Sequence, residues 1–204
     1  MVKVKICGIT NLEDALISYF SGADAIGFVF YRKSSRYIDP IKARNIIRIL
    51  PKKIKCVGVF VDESAAKVKK IAKLCGLDIL QFHGKESPDY CKKFRDYKVI
   101  KAFRIRRKED LAWVSKYKTF AYLFDSFSPT LQGGTGSKFN WKILAQIGRM
   151  KPAMFLSGGL TAGNVRKAVK LLKPDWVDVS SSLESKPGKK DHQKVKKFVQ
   201  AVKF

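Results

Sequence analysis

Cys7 follows a short alternating run, Val2-Lys3-Val4-Lys5-Ile6, and Asp125 follows another, Phe120 to Phe124, more than a hundred residues later. A thiol and a carboxyl group delivered to one place by separate strands can divide general acid–base work, one removing a proton while the other supplies one. Arg36, beside Ser34 and Ser35, brings a planar fork of donors suited to a carboxylate. His83 stands in Gln81-Phe82-His83-Gly84, and histidine is the side chain best matched to proton traffic near neutral pH. Two segments have the composition of phosphate cradles, Ser157-Gly158-Gly159 and Asp178-Val179-Ser180-Ser181-Ser182, because glycine lets backbone N–H groups close on an oxyanion. A third, Gly133-Gly134-Thr135-Gly136, is either a lid over the same place or a flexible loop. Each residue also has an ordinary reading: an inert buried thiol, a helix cap, a surface charge, a plain turn. Position alone leaves these open.

What must position such residues is a series of strands. Short β-rich runs alternate with amphipathic stretches throughout, the pattern of repeated βα units and a parallel sheet. The strands expected are Val2–Ile6, Ala25–Phe30, Cys56–Val61, Ile79–Phe82, Val99–Phe103, Phe120–Phe124, Ala153–Leu156 and Trp176–Val179. Between them, Ser64–Cys75 reads as a helix with Val68, Ile71, Leu74 and Cys75 on one face and Lys67, Lys69, Lys70 and Lys73 on the other. Ser64 or Asp62 would cap it, and Gly76 would end it. The last helix repeats the design with Val195, Phe198, Val199 and Val202 inward. Eight such units predict an α/β fold, one (β/α)₈ barrel domain over 1–204 with a parallel eight-stranded barrel. Function in that fold belongs at the strand C-termini, which gathers Cys7, Arg32 to Arg36, Asp62, His83, Arg104, Asp125, Gly158–Gly159 and Ser180–Ser182 at one mouth. A doubly wound open sheet is the competitor, but Cys7-Gly8-Ile9-Thr10 is no dinucleotide loop. The long irregular stretch Ser126–Asn140 has the length of a functional or mobile loop.

Composition narrows the partners. The chain has 204 residues, 42 Lys+Arg against 17 Asp+Glu, and a net charge of +25. That excess fits a solvated lysine-rich surface, steering of an anionic small substrate, or nucleic-acid binding. The lysines are spread at helical spacing rather than gathered in a tail, which favours the first. Two histidines and no CxxC pair among four cysteines argue against a metal cluster or disulfide framework. Apolar runs such as Ala25 to Tyr31 are too short to span a bilayer, and the start carries no leader-like apolar core. A cytoplasmic protein with reduced thiols is expected, monomeric by default, with a homodimer open.

The motifs, taken in order, resemble one family across essentially the whole chain. Val4-Lys5-Ile6-Cys7-Gly8-Ile9-Thr10, Gly27-Phe28-Val29-Phe30, Ser34-Ser35-Arg36-Tyr37-Ile38, Val57-Gly58-Val59-Phe60-Val61 and Gln81-Phe82-His83-Gly84 are similar to segments of the phosphoribosylanthranilate isomerases. So are Phe124-Asp125-Ser126, Gly133-Gly134-Thr135-Gly136, Phe139-Asn140-Trp141, Leu156-Ser157-Gly158-Gly159-Leu160, Asn164-Val165, Asp178-Val179-Ser180-Ser181 and Gly188-Lys189-Lys190-Asp191. The resemblance implies a barrel enzyme of tryptophan biosynthesis that needs no cofactor. Its reaction would be the Amadori rearrangement of N-(5′-phosphoribosyl)anthranilate to 1-(2-carboxyphenylamino)-1-deoxyribulose 5-phosphate. It also implies Cys7 as general base, Asp125 as general acid and Arg36 as ligand of the anthranilate carboxylate. The phosphate would lie on backbone groups of Gly158–Gly159 and Ser180–Ser182, with Gly133 and Gly134 nearby and His83 and Asp178 at the same mouth.

That chemistry sets conditions. Asp125 must keep a proton for the furanose ring oxygen, which partial burial favours. Cys7 must ionise, which needs nearby positive charge. Positions 3, 5 and 7 share one strand face, so Lys5 is expected inside the barrel beneath the thiol, favouring thiolate. Two departures stand out. Ser182 replaces a usual glycine, and Phe82 replaces a common leucine. A related histidine-pathway isomerase barrel would carry an aspartate where Cys7 stands, and a nucleic-acid-binding barrel would interleave aromatics with Lys and Arg on one exposed face.

Overall fold

The computed structural model describes residues 1–105, 108–126, 141–145 and 151–203. The expected Gly133-Gly134-Thr135-Gly136 segment, with the rest of the long 127–140 stretch, lies outside the described residues. Eight strands, β1 (Lys3–Cys7), β2 (Ala25–Val29), β3 (Lys55–Phe60), β4 (Ile79–Phe82), β5 (Lys98–Ile105), β6 (Ala121–Ser126), β7 (Ala153–Leu156) and β8 (Trp176–Val179), close a parallel barrel in sequential order. Each coincides with a run read from the sequence to within about two residues. The helices are α1 (Leu12–Phe20), α2 (Pro40–Ile49), α3 (Ala65–Cys75), α4 (Pro88–Lys92), α5 (Trp141–Ala145), α6 (Val165–Leu172) and α7 (His192–Lys203); a 3₁₀ segment, Lys108–Lys116, lies between β5 and β6.

Local chemistry explains the boundaries. Ser64 caps α3 by accepting from the Lys67 N–H at 3.4 Å, and Gly76 ends it in the left-handed region at φ 66°. Asp62, the other candidate cap, instead accepts from the Lys85 N–H at 2.6 Å. Asp39 and Ser87 open α2 and α4, each followed by a proline at the first helical position, where the missing N–H costs nothing.

Alternation then sorts side chains onto two faces of the barrel wall. Ala25, Val57, Ile79, Ile100, Ala102, Ala121, Leu123, Phe155 and Trp176 fill the interior; the rings of Phe155 and Trp176 stack there with centroids 4.8 Å apart. The intervening residues, Ile6, Ile26, Phe28, Phe60, Leu80, Phe82, Phe124 and Val177 among them, join the larger core beneath the helices. Phe82, the departure from leucine, is fully buried and packs edge-on to Tyr90 and obliquely to Phe94. Lys67, Lys69, Lys70 and Lys73 of α3 and Lys194, Lys196 and Lys197 of α7 are exposed, as expected, whereas Lys203, expected to face out, is half-buried with its ammonium 3.1 Å from Asp24 Oδ2.

Two features were not anticipated. After β8 the chain makes a 3₁₀ turn (Ser181–Leu183) and a small antiparallel hairpin of β9 (Glu184–Lys186) and β10 (Lys189–Lys190). On the outer face of β5, Lys101 is 2% exposed. Its ammonium donates to the carbonyls of Phe82 (3.3 Å) and Gly84 (2.7 Å) and to Glu86 Oε2 at 2.9 Å. Glu86 in turn accepts the N–H groups of Asp62 and Gly84. This buried pair fixes the loops after β3 and β4, and His83 rides on the second of them. Glu86→Ala is therefore expected to cost about 3–5 kcal/mol, because it strands the Lys101 charge in the core. The double variant Glu86→Leu/Lys101→Met should recover most of that loss in urea unfolding. A double variant no more stable than the single would show that the loop hydrogen bonds, not the stranded charge, carry the penalty.

Candidate active site

At the C-terminal end of the barrel the inward-facing ladder changes from apolar to polar. Cys7, Gln81, His83, Arg104, Asp125, Ser157 and Asp178 face a cavity of about 330 Å³, which Arg36, Gly158–Gly159 and Ser180–Ser182 also line. Most residues picked out at the strand ends are thus brought together, but Arg32, Lys33, Ser35 and Asp62 are exposed and do not line the cavity, Asp62 instead accepting from the Lys85 N–H. Gly133 and Gly134 lie outside the described residues.

Cys7 is 7% exposed and packs against Val29 and Val59. One pleat below it, Lys5 is fully buried. The register that closes the barrel sets Lys5 of β1 beside Asp178 of β8, and their side chains meet at 2.7 Å. Room for this comes from β2, where Ala25 and Gly27 stand opposite Lys5 and Cys7. A Cβ on Gly27 would lie 2.8 Å from the thiol sulfur and 3.2 Å from the Lys5 ammonium, so only glycine leaves both groups in place. Burial pushes Lys5 down, yet the facing Asp178 carboxylate and Cys7 leave it net raised. Burial also dominates Cys7 and drives the thiol up, with Lys5 pulling the other way and Asp178 reinforcing the rise. The expectation that Lys5 lies beneath Cys7 holds. Lys5 pulls the thiol toward the anion, as expected, and burial opposes it. The remaining cysteines are buried too; desolvation lifts Cys56 to about 12 and Cys75 and Cys91 each to about 11.

Across the mouth, Asp125 stands beside Arg104 in register, its side chain 26% exposed. His83 Nε2 lies 3.3 Å from Asp125 Oδ2, and His83 Nδ1 is 2.9 Å from Gln81 Nε2. Gln81 is 1% exposed, and its Oε1 is buried without a hydrogen-bond partner among the described residues. A buried acceptor left so costs about 1–3 kcal/mol, which is tolerated more readily at a working surface than in a packed core. The sequence marks Gln81 only as part of a motif. The signal that could have found it is an amide at a strand position whose alternate neighbours, Ile79 and His83, also face inward.

Arg36 reaches the mouth from the loop after β2. Its Nε and Nη2 are held at 2.8 and 2.7 Å by the two oxygens of Glu184, a partner that the sequence pattern does not single out. Gly8, at φ +79°, lets this happen: a Cβ there would press on Arg36 Cδ at 2.8 Å and Ser180 Oγ at 2.9 Å. The two cradle loops lie side by side. Gly158 and Gly159 adopt φ of 87° and 63°, and Asn164 braces that loop through the Gly159 carbonyl and the Thr161 N–H. Ser180 Oγ donates to the Cys7 carbonyl at 3.0 Å. Ser182 needs no positive φ, and its hydroxyl donates to the Leu160 carbonyl at 2.5 Å. The serine therefore stitches the two loops together without backbone strain. Asp178 is engaged by Lys5 and by the Ser157 hydroxyl at 3.3 Å. Among the described residues no group of His, Cys, Asp and Glu is arranged to hold a metal ion.

Comparison with known proteins bears on this geometry. A family model described as N-(5′-phosphoribosyl)anthranilate (PRA) isomerase matches residues 4–201. The chain is 50% identical over 203 residues to N-(5′-phosphoribosyl)anthranilate isomerase of Geobacter sp. strain M21, covering all of this chain and 98% of that one. The crystal structure of phosphoribosyl anthranilate isomerase from Thermotoga maritima superposes with a TM-score of 0.94 at 45% identity, covering 100% and 99% of the two chains. A phosphoribosyl anthranilate isomerase in complex with reduced 1-(o-carboxyphenylamino)-1-deoxyribulose 5-phosphate superposes at 0.89 with 43% identity and the same coverage.

The thiol environment is directly testable. Peptide-resolved alkylation of Cys7 should keep accelerating with pH beyond the ordinary thiol value of 9.0. In Lys5→Met the curve should move to still higher pH, because the cation is lost and Asp178 is left unanswered. A superimposable curve would remove Lys5 from control of the thiol.

Proposed function

The chain belongs to the N-(5′-phosphoribosyl)anthranilate isomerase family, and from that premise we propose that Cys7 is the general base and Asp125 the general acid of its reaction. The reaction is the isomerisation of N-(5′-phosphoribosyl)anthranilate in tryptophan biosynthesis, an aldose-to-ketose rearrangement. One observation carries the assignment. A thiol from β1 and a carboxyl group from β6 open into the same cavity, which an arginine and two glycine- and serine-rich loops also line.

Asp125 gives its proton to the ring oxygen as the C1′–oxygen bond breaks, and the nitrogen lone pair forms the iminium. The iminium acidifies the C2′ hydrogen. Cys7, as thiolate, takes that proton, and the electron pair moves to C1′=C2′, neutralising nitrogen. A proton shift from the C2′ hydroxyl to C1′ completes the ketone. Lys5 stabilises the thiolate from below, and Asp178 fixes Lys5. His83 orients Asp125. Arg36 binds the anthranilate carboxylate with the N–H groups that Glu184 leaves over. The phosphate rests on backbone N–H groups of Gly158–Gly159 and Ser180–Ser182, where desolvated donors bind an oxyanion well. No step calls for a cofactor.

A monomer is the proposed working unit, with a homodimer the alternative; the cavity-lining residues described above come from one chain. The 1–204 segment acts as one barrel domain. No helix among the described residues is long and apolar enough to cross a membrane, in keeping with a cytoplasmic enzyme acting on an anionic small molecule and with reduced thiols.

Turnover of phosphoribosylanthranilate generated in situ, followed by its fluorescence, tests the assignment. Cys7→Ala and Asp125→Ala should each lower kcat by about 10²-fold or more with unchanged thermal unfolding. A folded Cys7→Ala variant with near-native turnover would defeat the base assignment. An inactive, folded wild-type chain would defeat the substrate.

A further inference from the structure

Glu184 and Lys190 belong to the hairpin after β8, and neither takes part in a chemical step of the reaction above. They are nonetheless among the most enclosed charged groups in the protein, 8% and 2% exposed. Glu184 grips Arg36 with both oxygens, at 2.8 and 2.7 Å. Lys190 Nζ stands 3.0 Å from Glu184 Oε1 and donates to the Ser180 carbonyl at 3.2 Å. Ser180 reaches on to the Cys7 carbonyl. The hairpin is itself anchored: Thr10 Oγ1 donates to the Gly188 carbonyl at 2.5 Å, and the Lys190 N–H donates to Asp14 Oδ2 at 2.8 Å. Burial pushes the Glu184 carboxyl up, but Arg36 and Lys190 more than offset it and leave it net lowered, so the pair with Arg36 is ionic.

A buried ion pair is a poor choice if stability is all that is at stake, because apolar residues of similar volume do as well. What the pair adds is direction. An unheld arginine sweeps its fork through many rotamers, whereas a bidentate carboxylate fixes the plane of the guanidinium. Here the carboxylate is pinned in turn by a lysine that also holds the backbone of the second phosphate loop. The chain Arg36–Glu184–Lys190–Ser180 is a strut between the two ends of the site.

We propose that Glu184 and Lys190 are positioning residues that hold the Arg36 fork at a fixed spacing from the Ser180 loop, so that the site selects substrates carrying a carboxylate and a phosphate that far apart. This deepens, and rests on, the reading of Arg36 as the carboxylate ligand. On this view Glu184 never touches substrate; it sets how much the substrate carboxylate is worth.

Two probes separate the roles: reduced 1-(o-carboxyphenylamino)-1-deoxyribulose 5-phosphate and its phenylamino counterpart lacking the carboxylate, titrated calorimetrically. Wild type should prefer the carboxylated probe, and Glu184→Gln should shrink that preference by about tenfold or more. Affinity for the probe without the carboxylate should change by no more than about twofold. Glu184→Asp keeps the charge but draws the carboxylate back by one methylene, and should show the same loss even if the glutamine variant folds poorly. Arg36→Met/Glu184→Gln should discriminate no worse than Arg36→Met alone. If Glu184→Gln and Glu184→Asp weaken both probes equally, or neither, the strut is only structural and the proposal fails. If Arg36→Met itself keeps the preference, the carboxylate reading fails instead.

Discussion

The barrel closes where β1 meets β8, and at that seam it buries a charge. A parallel barrel has to fill its interior with side chains, and most of this one is filled with Ala, Val, Ile, Leu and aromatic rings. Directly beneath the mouth the filling is Lys5 and Asp178, brought together by the closing register. Neither is tolerable alone in such a place. Together, at 2.7 Å, they satisfy one another, and the small residues of β2 give the lysine its channel. The mouth depends on this arrangement: Cys7 lies in its field, Ser157 hangs on its carboxylate, and the β1–β8 seam sets Ser180 against the Cys7 carbonyl.

Among the described residues, the charge of the mouth itself is modest. Lys5, Arg36, Arg104 and Lys190 are nearly matched by Asp125, Asp178 and Glu184, and most of these groups are paired. Among the described residues, an anion arriving there meets the Arg36 guanidinium that Glu184 holds, Arg104 and the backbone amides of the two loops. The net charge is +25, and lysines such as those on the outer face of α3 are exposed, while orientation of a substrate is left to the paired groups inside. The lysine-rich surface and the paired groups of the site are thus separate features of the molecule.

Much of this was legible in the sequence because alternation is a local signal. Eight short β-rich runs separated by amphipathic stretches mark the strands, and the C-terminal ends of the strands define the mouth, which locates Cys7, His83 and Asp125 without long-range information. Glu184 and Lys190 were not legible for the opposite reason. Lys189 and Lys190 are chemically identical neighbours, yet one is exposed and the other enclosed. The difference lies in contacts with Asp14 and Glu184, the first of them from the far end of the chain. In so lysine-rich a segment, composition argues for solvent. Ser182 shows the same limit in milder form. Its replacement of a family glycine reads as backbone strain until the Leu160 carbonyl is seen to take its hydroxyl.

The acid and the base sit in unlike surroundings, and the contrast is functional in itself. Asp125 lies at a partly open rim beside His83, where protons exchange with solvent. Cys7 is enclosed among Val29, Val59 and Lys5, where desolvation pushes the thiol up and Lys5 pulls it down. A standing thiolate in an open mouth would be nucleophilic and prone to oxidation, since both follow thiolate character and exposure. Burial suppresses that side chemistry at the expense of the base form. The same low polarity also strengthens whatever attraction remains, so once the thiol proton leaves, Lys5 stabilises the anion more than it could in water. In the proposed reaction the residue that favours the basic form of the cysteine is accordingly the lysine one pleat below.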